Sequence, residues 1–528
     1  MNKSLKTIQT VAASIPIIMC SDAVVQAQNM ANVRVSKNSA DLLLAKVDSE
    51  RASLDTVQSQ TDSNSQPQEI LAPKSDSYLP DRPQKVQIEA TQAISLKQAI
   101  ALAIQNNKQL QEARLNVQRS EQQLQEAKAA RYPVLNADVG IAQTDSARAE
   151  ISSEITRQQN EQLQQNPELQ QLQQGNEDLD DNSVDRTFNG NLNLSYDLYT
   201  GGGRGARIQQ AEKEVEVAQL DLERIDFETR FEVSRDYYSL QNADSQVNIE
   251  QAAVQEARET LKDARLLKQA GSGTKFDVIR AEVELANAQQ RLATAQSQQN
   301  TARRQLVATL DIGQQVELQT ADEIEPAGDW QFSLEETIVM AYGNRSELQQ
   351  LRLQKEINEK GKQIALAAVR PQVSLVAGYN LLEVHDDGVG INDGYNVGAN
   401  VEWNIFDGGA AKSRARQSET DAEISEVQFA DRRNEVRLEV ERGYYALTAN
   451  QENIDTSNKA LELAEESLEL ARFRFQAGVG TQTDVIQAQS ELTNARANYL
   501  SSIVDYNQSL NQLERAVAVL PDRQQQTQ

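Results

Sequence analysis

Carboxylates stand at matching positions behind two copies of one glycine-rich turn. The turns are Gly271-Ser272-Gly273-Thr274 and Gly478-Val479-Gly480-Thr481, and Asp277 and Asp484 follow them. The glycines predict the end of one helix, and the threonines predict the N-cap of the next. Two interpretations of the carboxylates remain open: they stabilise the positive end of a helix dipole, or they form a site that attracts cations.

Other residues capable of chemistry are few. The only histidine, His385, precedes Asp386 and Asp387, and its neighbourhood offers too few further ligands to predict a metal site. The glycine runs 201–203 and 408–409 lack the spacing of a dinucleotide-binding loop. No nucleophile constellation is recognisable. We therefore expect a protein without enzymatic activity, metal or cofactor.

The composition and net charge of the chain limit the kinds of partner that we expect. The 528-residue chain has a formal net charge of −26, only 39% hydrophobic residues and 5% aromatic residues. Phosphate binding needs a basic surface, so nucleic acid is not an expected partner. Two explanations of the acidity remain open: solubility of a long hydrated surface, or a lumen that attracts cations.

The amino-terminal region is not expected to belong to the folded body. Residues 1–27 resemble a secretory signal, with Lys3 and Lys6 before an apolar stretch and a small-residue cleavage site at 25–27. The only cysteine, Cys20, would leave with this signal, which excludes a disulfide framework. Residues 28–91 are rich in Ser, Asp, Gln and Pro and predict a flexible linker.

The remaining chain contains the same pattern twice. Ser95-Leu96 returns as Ser333-Leu334, the paired tyrosines Tyr237-Tyr238 return as Tyr444-Tyr445, and the glycine-rich turns repeat as described. The first copy carries an insertion between Gly140 and Thr200. Such a duplication indicates one architecture built from two halves rather than two independent enzymes.

Each half predicts a helix, two strands, a very long helix, a tight turn and a returning helix. Tyr132-Pro133 and Arg370-Pro371 end the first helix of each copy, because proline lacks an amide donor. The alternation that follows predicts strands. The predicted strands are residues 133–143, 187–199, 371–383 and 394–406, with an external loop at 144–186. The predicted helical hairpins are residues 204–310 and 411–517.

The long helices show the spacing of a coiled coil. Apolar residues in 208–225 recur by alternating steps of three and four, and the returning helices 278–292 and 485–499 continue the pattern with alanines. The domain organisation predicted from these patterns is a first repeat at 92–310, a connecting equatorial segment at 311–331, a second repeat at 332–520 and a tail at 521–528.

In these features the sequence resembles the TolC family of outer-membrane efflux and secretion ducts. The resemblance rests on the aromatic-x-Gly-Gly segments at 199–202 and 406–409, the paired tyrosines and the duplicated tips. It implies a mainly α fold with a small membrane β part, in which a trimeric twelve-stranded β-barrel continues as a periplasmic α-helical barrel. Four strands in one chain are too few to close a barrel, which agrees with a shared one.

The resemblance also implies a location, a function and partners. The chain would lie in the cell outer membrane with a long periplasmic extension. It would be the passive exit duct of a tripartite efflux pump or a type I secretion system, for small molecules or proteins. Its partners would be two further copies of itself, outer-membrane lipid, a periplasmic adaptor and an inner-membrane ABC, RND or MFS pump. The alternative is a pore-less periplasmic coiled-coil adaptor or scaffold.

Particular residues acquire roles from the resemblance. The two tips would dock the adaptor and form the entrance, where Asp484 matches a family position that forms an acidic ring. A second acidic position of the family is Gln487 here, and a tip arginine that locks relatives shut aligns with Gly480. We therefore expect weaker closure, or closure by other pairs among Asp277, Lys275 and Arg280. Aromatic residues near the strands suggest membrane-interface anchors, although ordinary strand propensity also explains them. These are Tyr132, Tyr196, Tyr199, Tyr379, Trp403 and Phe406.

Overall fold

The computed structural model describes residues 90–145, 184–313, 315–385 and 390–519, with isolated positions in 82–88 and 147–161. The predictions for the signal, the tail, most of the linker and the middle of the first external loop lie outside these residues. The His385 side chain also lies outside them, although its backbone ends a strand. Among the described residues, no helix is both long and apolar enough to cross a membrane.

Apart from two short strands, the two halves contain the same elements in the same order. The first half comprises β1 (Ala90–Ile94), α1 (Leu96–Asn106), α2 (Lys108–Ala129), β2 (Val134–Asp145), β3 (Val184–Thr200), α3 (Gly203–Gln269) and α4 (Lys275–Thr309). After β4 (Val316–Thr320), the second half comprises α5 (Leu334–Asn344), α6 (Ser346–Ala367), β5 (Gln372–His385), β6 (Asn392–Glu402), α7 (Ala410–Gln476) and α8 (Gln482–Val517).

The long helices are continuous rods. Each of α3 and α7 has 67 residues, or about 100 Å at roughly 1.5 Å per residue. In the half of the rods nearer the strands, α2 packs on α3, and α6 packs on both α3 and α7. In the half nearer the tips, α4 packs on α3, and α8 packs on both rods. The tip half is therefore a layer in the order α4, α3, α8, α7, with α4 and α7 at its edges.

The strands β2, β3, β5 and β6 form one antiparallel sheet in that order. Leu192 of β3 lies opposite Ala137 of β2 and Tyr379 of β5, so the two halves pair through their central strands. The register shifts between Asp197 and Tyr199, which leaves Leu198 without a cross-strand partner in β5. The strict two-residue alternation expected of strand 187–199 is therefore interrupted at this bulge.

Two further predictions need correction at the ends of elements. The first helix of each half was expected to be continuous, but it breaks at Asn107 and at Arg345, where the backbone leaves the helical region. Asn107 accepts a hydrogen bond from the Leu110 amide and so begins a new helix. The last strand was expected to reach Phe406 but ends at Glu402. Beyond it, Asp407 accepts from the Gly409 and Ala411 amides at 2.9 and 2.6 Å, so this part of the chain turns into the start of α7.

A small parallel sheet ties the connecting segment to the first half. β1 pairs with β4 from Ala90 opposite Val316 to Ile94 opposite Thr320, so residues 90 and 91 belong to this sheet rather than to the predicted linker. The fully buried Tyr237 of α3 donates to Asp322 at 2.8 Å and lies 3.1 Å from the Ile94 carbonyl. Among the described residues this two-stranded sheet has no second copy, and it holds the connecting segment against α3.

The buried carboxyl group of Glu514 leads us to expect that the stability of the fold depends on pH. Burial raises the pKa of Glu514 in α8 to about 7, from an ordinary value of 4.5, and its charge lies near Tyr238 of α3. Because the folded pKa is the higher one, ionisation destabilises the fold increasingly from about pH 4.5 to 7.

We expect Glu514→Gln to stabilise the protein at pH 8, by at least on the order of 1 kcal/mol, and to have little effect at pH 4.5. Thermal melting followed by circular dichroism at the two pH values measures the difference. Glu469→Gln, at an exposed position of α7, is the matched control. An equal shift at both pH values would contradict the account.

Candidate functional site

The glycine-rich tips reverse the chain between antiparallel helices. Gly271 and Gly478 have φ angles of +78° and +74°, which favour glycine. At the second position of each tip, glycine is favoured for a steric reason instead. A Cβ on Gly273 would lie 2.9 Å from the Lys268 nitrogen, and one on Gly480 would lie 3.0 Å from the Phe475 nitrogen. Gly480, where relatives were expected to carry an arginine, therefore lies too close to its own helix to accept a side chain without a local shift.

The aspartates behind the tips form capping boxes. Asp277 Oδ2 accepts from the Thr274 amide at 2.9 Å and from its hydroxyl at 2.6 Å. Asp484 Oδ2 accepts from the Thr481 amide at 2.9 Å, and the Asp484 amide donates to the Thr481 hydroxyl at 3.2 Å. These bonds explain the helix starts without invoking a ligand. The helix-stabilising interpretation therefore has direct geometric support.

The capping bonds also keep the carboxylates charged. The side chain and then the backbone of Thr274 lower the pKa of Asp277, and the backbone and then the side chain of Thr481 lower the pKa of Asp484. A depressed pKa means that the contribution to stability is present above the unfolded value and is lost only as pH falls through the folded value. Asp277 and Asp484 can therefore cap their helices and still carry the negative charge that a cation-attracting site requires.

A hydrogen bond joins the two hairpins just behind their tips. The Arg280 guanidinium of α4 donates to the Thr483 hydroxyl of α8 at 2.6 Å. One of the two expectations for the entrance was closure by pairs among Asp277, Lys275 and Arg280. The charge of Arg280 makes the smallest contribution to the lowered pKa of Asp277, and the hydrogen bond of Arg280 goes to the other hairpin. No sequence signal identified Thr483, because the contact depends on how two hairpins pack. Gln487 binds locally, donating to Glu491 at 2.9 Å.

The same two hairpins meet again roughly two to four helical turns from the tips. Gln489 of α8 donates to the Thr260 hydroxyl of α3 at 3.0 Å. Glu256 of α3 lies 3.7 Å from Arg496 of α8 and 3.9 Å from Arg472 of α7. Polar and ionic contacts therefore hold α3 against the second hairpin at this level, and such contacts can be exchanged for water at modest cost.

The predicted aromatic anchors separate into two groups. Tyr132 lies between α2 and β2, and Tyr199 lies near the end of β3. Trp403 and Phe406 follow β6, with the Trp403 indole donating to the Val369 carbonyl at 3.1 Å. These four aromatic residues lie where the sheet meets the helices. Tyr196 also lies in this part of β3, whereas Tyr379 lies further along β5, opposite Leu192 and Tyr395.

Comparison with known proteins decides the family. The model of the outer membrane efflux protein family matches residues 99–310 and 337–519, the two halves described above. The chain belongs to the outer membrane efflux protein family. Its members are exit ducts of efflux pumps, and this chain is accordingly an outer-membrane exit duct. That assignment replaces the alternative of a pore-less scaffold.

Relatives and solved structures agree with the family assignment. The pyoverdine export outer membrane protein OpmQ of Pseudomonas aeruginosa is 24% identical over 331 residues, 61% of this chain and 68% of OpmQ. The outer membrane efflux protein BepC of Brucella suis is 27% identical over 203 residues, 37% of this chain and 43% of BepC. The fold matches the outer membrane protein VceC of Vibrio cholerae with a TM-score of 0.64 at 18% identity, over 80% of this chain and 96% of VceC.

Proposed function

We propose that three copies of this efflux protein form one passive duct, with a twelve-stranded barrel and a helical tunnel closed at its tips. The observation that carries the proposal is that both parts of the chain are open layers. The sheet has two edge strands, β2 and β6, and exposed edges are not tolerated in lipid. Pairing of β6 with β2 of the next copy satisfies both edges in a closed ring.

The helical layer supports the same closure. Its edge helices carry exposed apolar side chains near the tips: Phe276, Ile279 and Val283 on α4, and Leu463, Leu470 and Phe473 on α7. Different surfaces at the two edges suit a head-to-tail ring, in which α4 of one copy packs on α7 of the next. Exposed apolar surface of this kind is typical of an interface.

The stoichiometry is testable by native mass spectrometry of the full-length protein in detergent, with gel migration before and after heating as a second measurement. We expect the mass of three chains and a heat-sensitive slow band. A folded monomer or dimer as the only species would contradict the shared barrel.

We infer that the tips are the docking surface for a periplasmic adaptor that recruits an ABC, RND or MFS pump. Val479 is 71% exposed at the centre of one tip, and Ser272 is exposed at the other. The duct itself would be passive. Because the partners choose the cargo, both small-molecule efflux and protein secretion fit this architecture.

We propose that Asp484 makes the entrance selective for cations. Asp484→Asn removes the charge but keeps an oxygen that can accept from the Thr481 amide. We expect the cation-to-anion permeability ratio to fall roughly twofold or more at low salt, where screening is weak. Reversal potentials across planar bilayers under a salt gradient measure this ratio. Asp431→Asn, at an exposed position of α7, is the control. Unchanged selectivity in Asp484→Asn would remove the proposed role.

A further inference from the structure

A cavity of about 480 Å³ lies between the two hairpins near the tips. Its walls come from the last turns of α3, the end of α7 and the start of α8. Binding cavities for small organic ligands commonly measure ~300–1,000 Å³. The cavity is therefore large enough for an organic molecule, and any occupant would touch both hairpins.

The lining combines an apolar wall with an unsatisfied donor. Leu267, Phe475 and Val485 contribute apolar surface from three different helices. Gln482, also in the lining, is only 6% exposed, and its Nε2 has no hydrogen-bond partner within the described part of the chain. A buried amide donor without an acceptor is destabilising, so an acceptor on a ligand gains affinity here once the Gln482 side chain rotates to present Nε2 to the cavity.

The charges of the lining favour a cation. Glu256, Glu259 and Asp263 face the cavity from α3, whereas Arg472 is the only basic residue in the lining. Arg472 lies 3.9 Å from Glu256, which balances that carboxylate. Glu259 and Asp263 are four residues apart and thus lie on one face of α3, where they add negative charge at the rim.

We propose that this cavity binds an amphipathic organic cation: a flat apolar body against Leu267, Phe475 and Val485, a positive charge near Asp263, and an acceptor for Gln482. The site is distinct from the capped aspartates at the entrance, and it needs one chain rather than a ring. Because its walls belong to both hairpins, an occupant holds α3 to the second hairpin at this level.

The test uses the full-length protein in lipid nanodiscs and berberine, an aromatic cation with ether oxygens whose fluorescence rises in apolar sites. We expect saturable binding at one berberine per chain, above the signal of empty nanodiscs. Asp263→Asn and Gln482→Leu should each weaken binding roughly fivefold, the size of one lost polar interaction. The anionic apolar probe 8-anilinonaphthalene-1-sulfonate should bind at least tenfold more weakly.

Asp431→Asn is the matched control, because it removes one exposed carboxylate roughly 60 Å along α7 from Arg472. It should leave the berberine affinity unchanged. Asp263 is exposed, so Asp263→Asn is not expected to impair folding. Absence of saturable binding, or equal affinity of the wild type and Asp263→Asn, would overturn the proposal. Binding is measured without ion flow, so the result is independent of whether the protein conducts.

Discussion

Replacing Arg345 with methionine is expected to destabilise the second half by about 1–3 kcal/mol, because the Ala516 carbonyl, Glu347 and Glu439 each lose a charged donor. Arg345 is only 2% exposed. Its guanidinium lies 3.0 Å from Glu347 and 2.9 Å from Glu439, and it donates to the Ala516 carbonyl at 3.1 Å. This one side chain thus joins the break between α5 and α6 to α7 and to the end of α8.

The effect should be visible as a lower midpoint of thermal unfolding, followed by the helical circular dichroism signal in detergent. Lys355→Met is the matched control, since it breaks the exposed Lys355–Glu426 pair of 3.0 Å. Its expected cost is below about 1 kcal/mol. Equal midpoints for Arg345→Met and Lys355→Met would show that the buried network does not stabilise the fold.

Removal of the contact between Arg280 and Thr483 is expected to open the entrance. A hydrogen bond to a charged donor contributes about 1–3 kcal/mol, with the low end suited to an exposed pair. If three copies act together, roughly 3 kcal/mol is lost, which changes the ratio of closed to open states on the order of 100-fold. Single-channel recordings of Arg280→Ala and Thr483→Val should show longer openings or larger steps than the wild type.

The control for the entrance keeps the acceptor of the hydrogen bond. Thr483→Ser retains the hydroxyl and should behave like the wild type, whereas Thr483→Val has a similar volume without it. Thr483→Val and Arg280→Ala should have no additive effect when combined, because they remove the same bond. Wild-type openings in Thr483→Val would show that this contact does not hold the tips.

Local signals in the sequence predicted most of the fold. Proline after Tyr132, glycine at 271 and 478 and threonine at 274 and 481 each act within a few residues, and the structure places helix ends and caps there. The duplication then fixed the order of elements in both halves. The structure departs from the predictions where distant residues decide the outcome.

Three cases show why part of the structure could not be predicted from the sequence. Arg345 ends a helix through partners in α7 and α8, which no local pattern reveals. Strands β1 and β4 are only five residues each and pair across 226 positions, from Ala90 to Val316. Thr483 looked like an ordinary residue of the first helical turn, and only packing of the two hairpins brings Arg280 to it. Each case depends on tertiary contact rather than on propensity.

The most direct test of the account is the conductance of the purified wild-type protein in planar bilayers, measured at several salt concentrations and voltages. A passive trimeric duct closed by weak tip contacts predicts discrete, cation-selective steps, with larger or longer openings in Arg280→Ala. Folded trimers that conduct no ions in either the wild type or Arg280→Ala would contradict it.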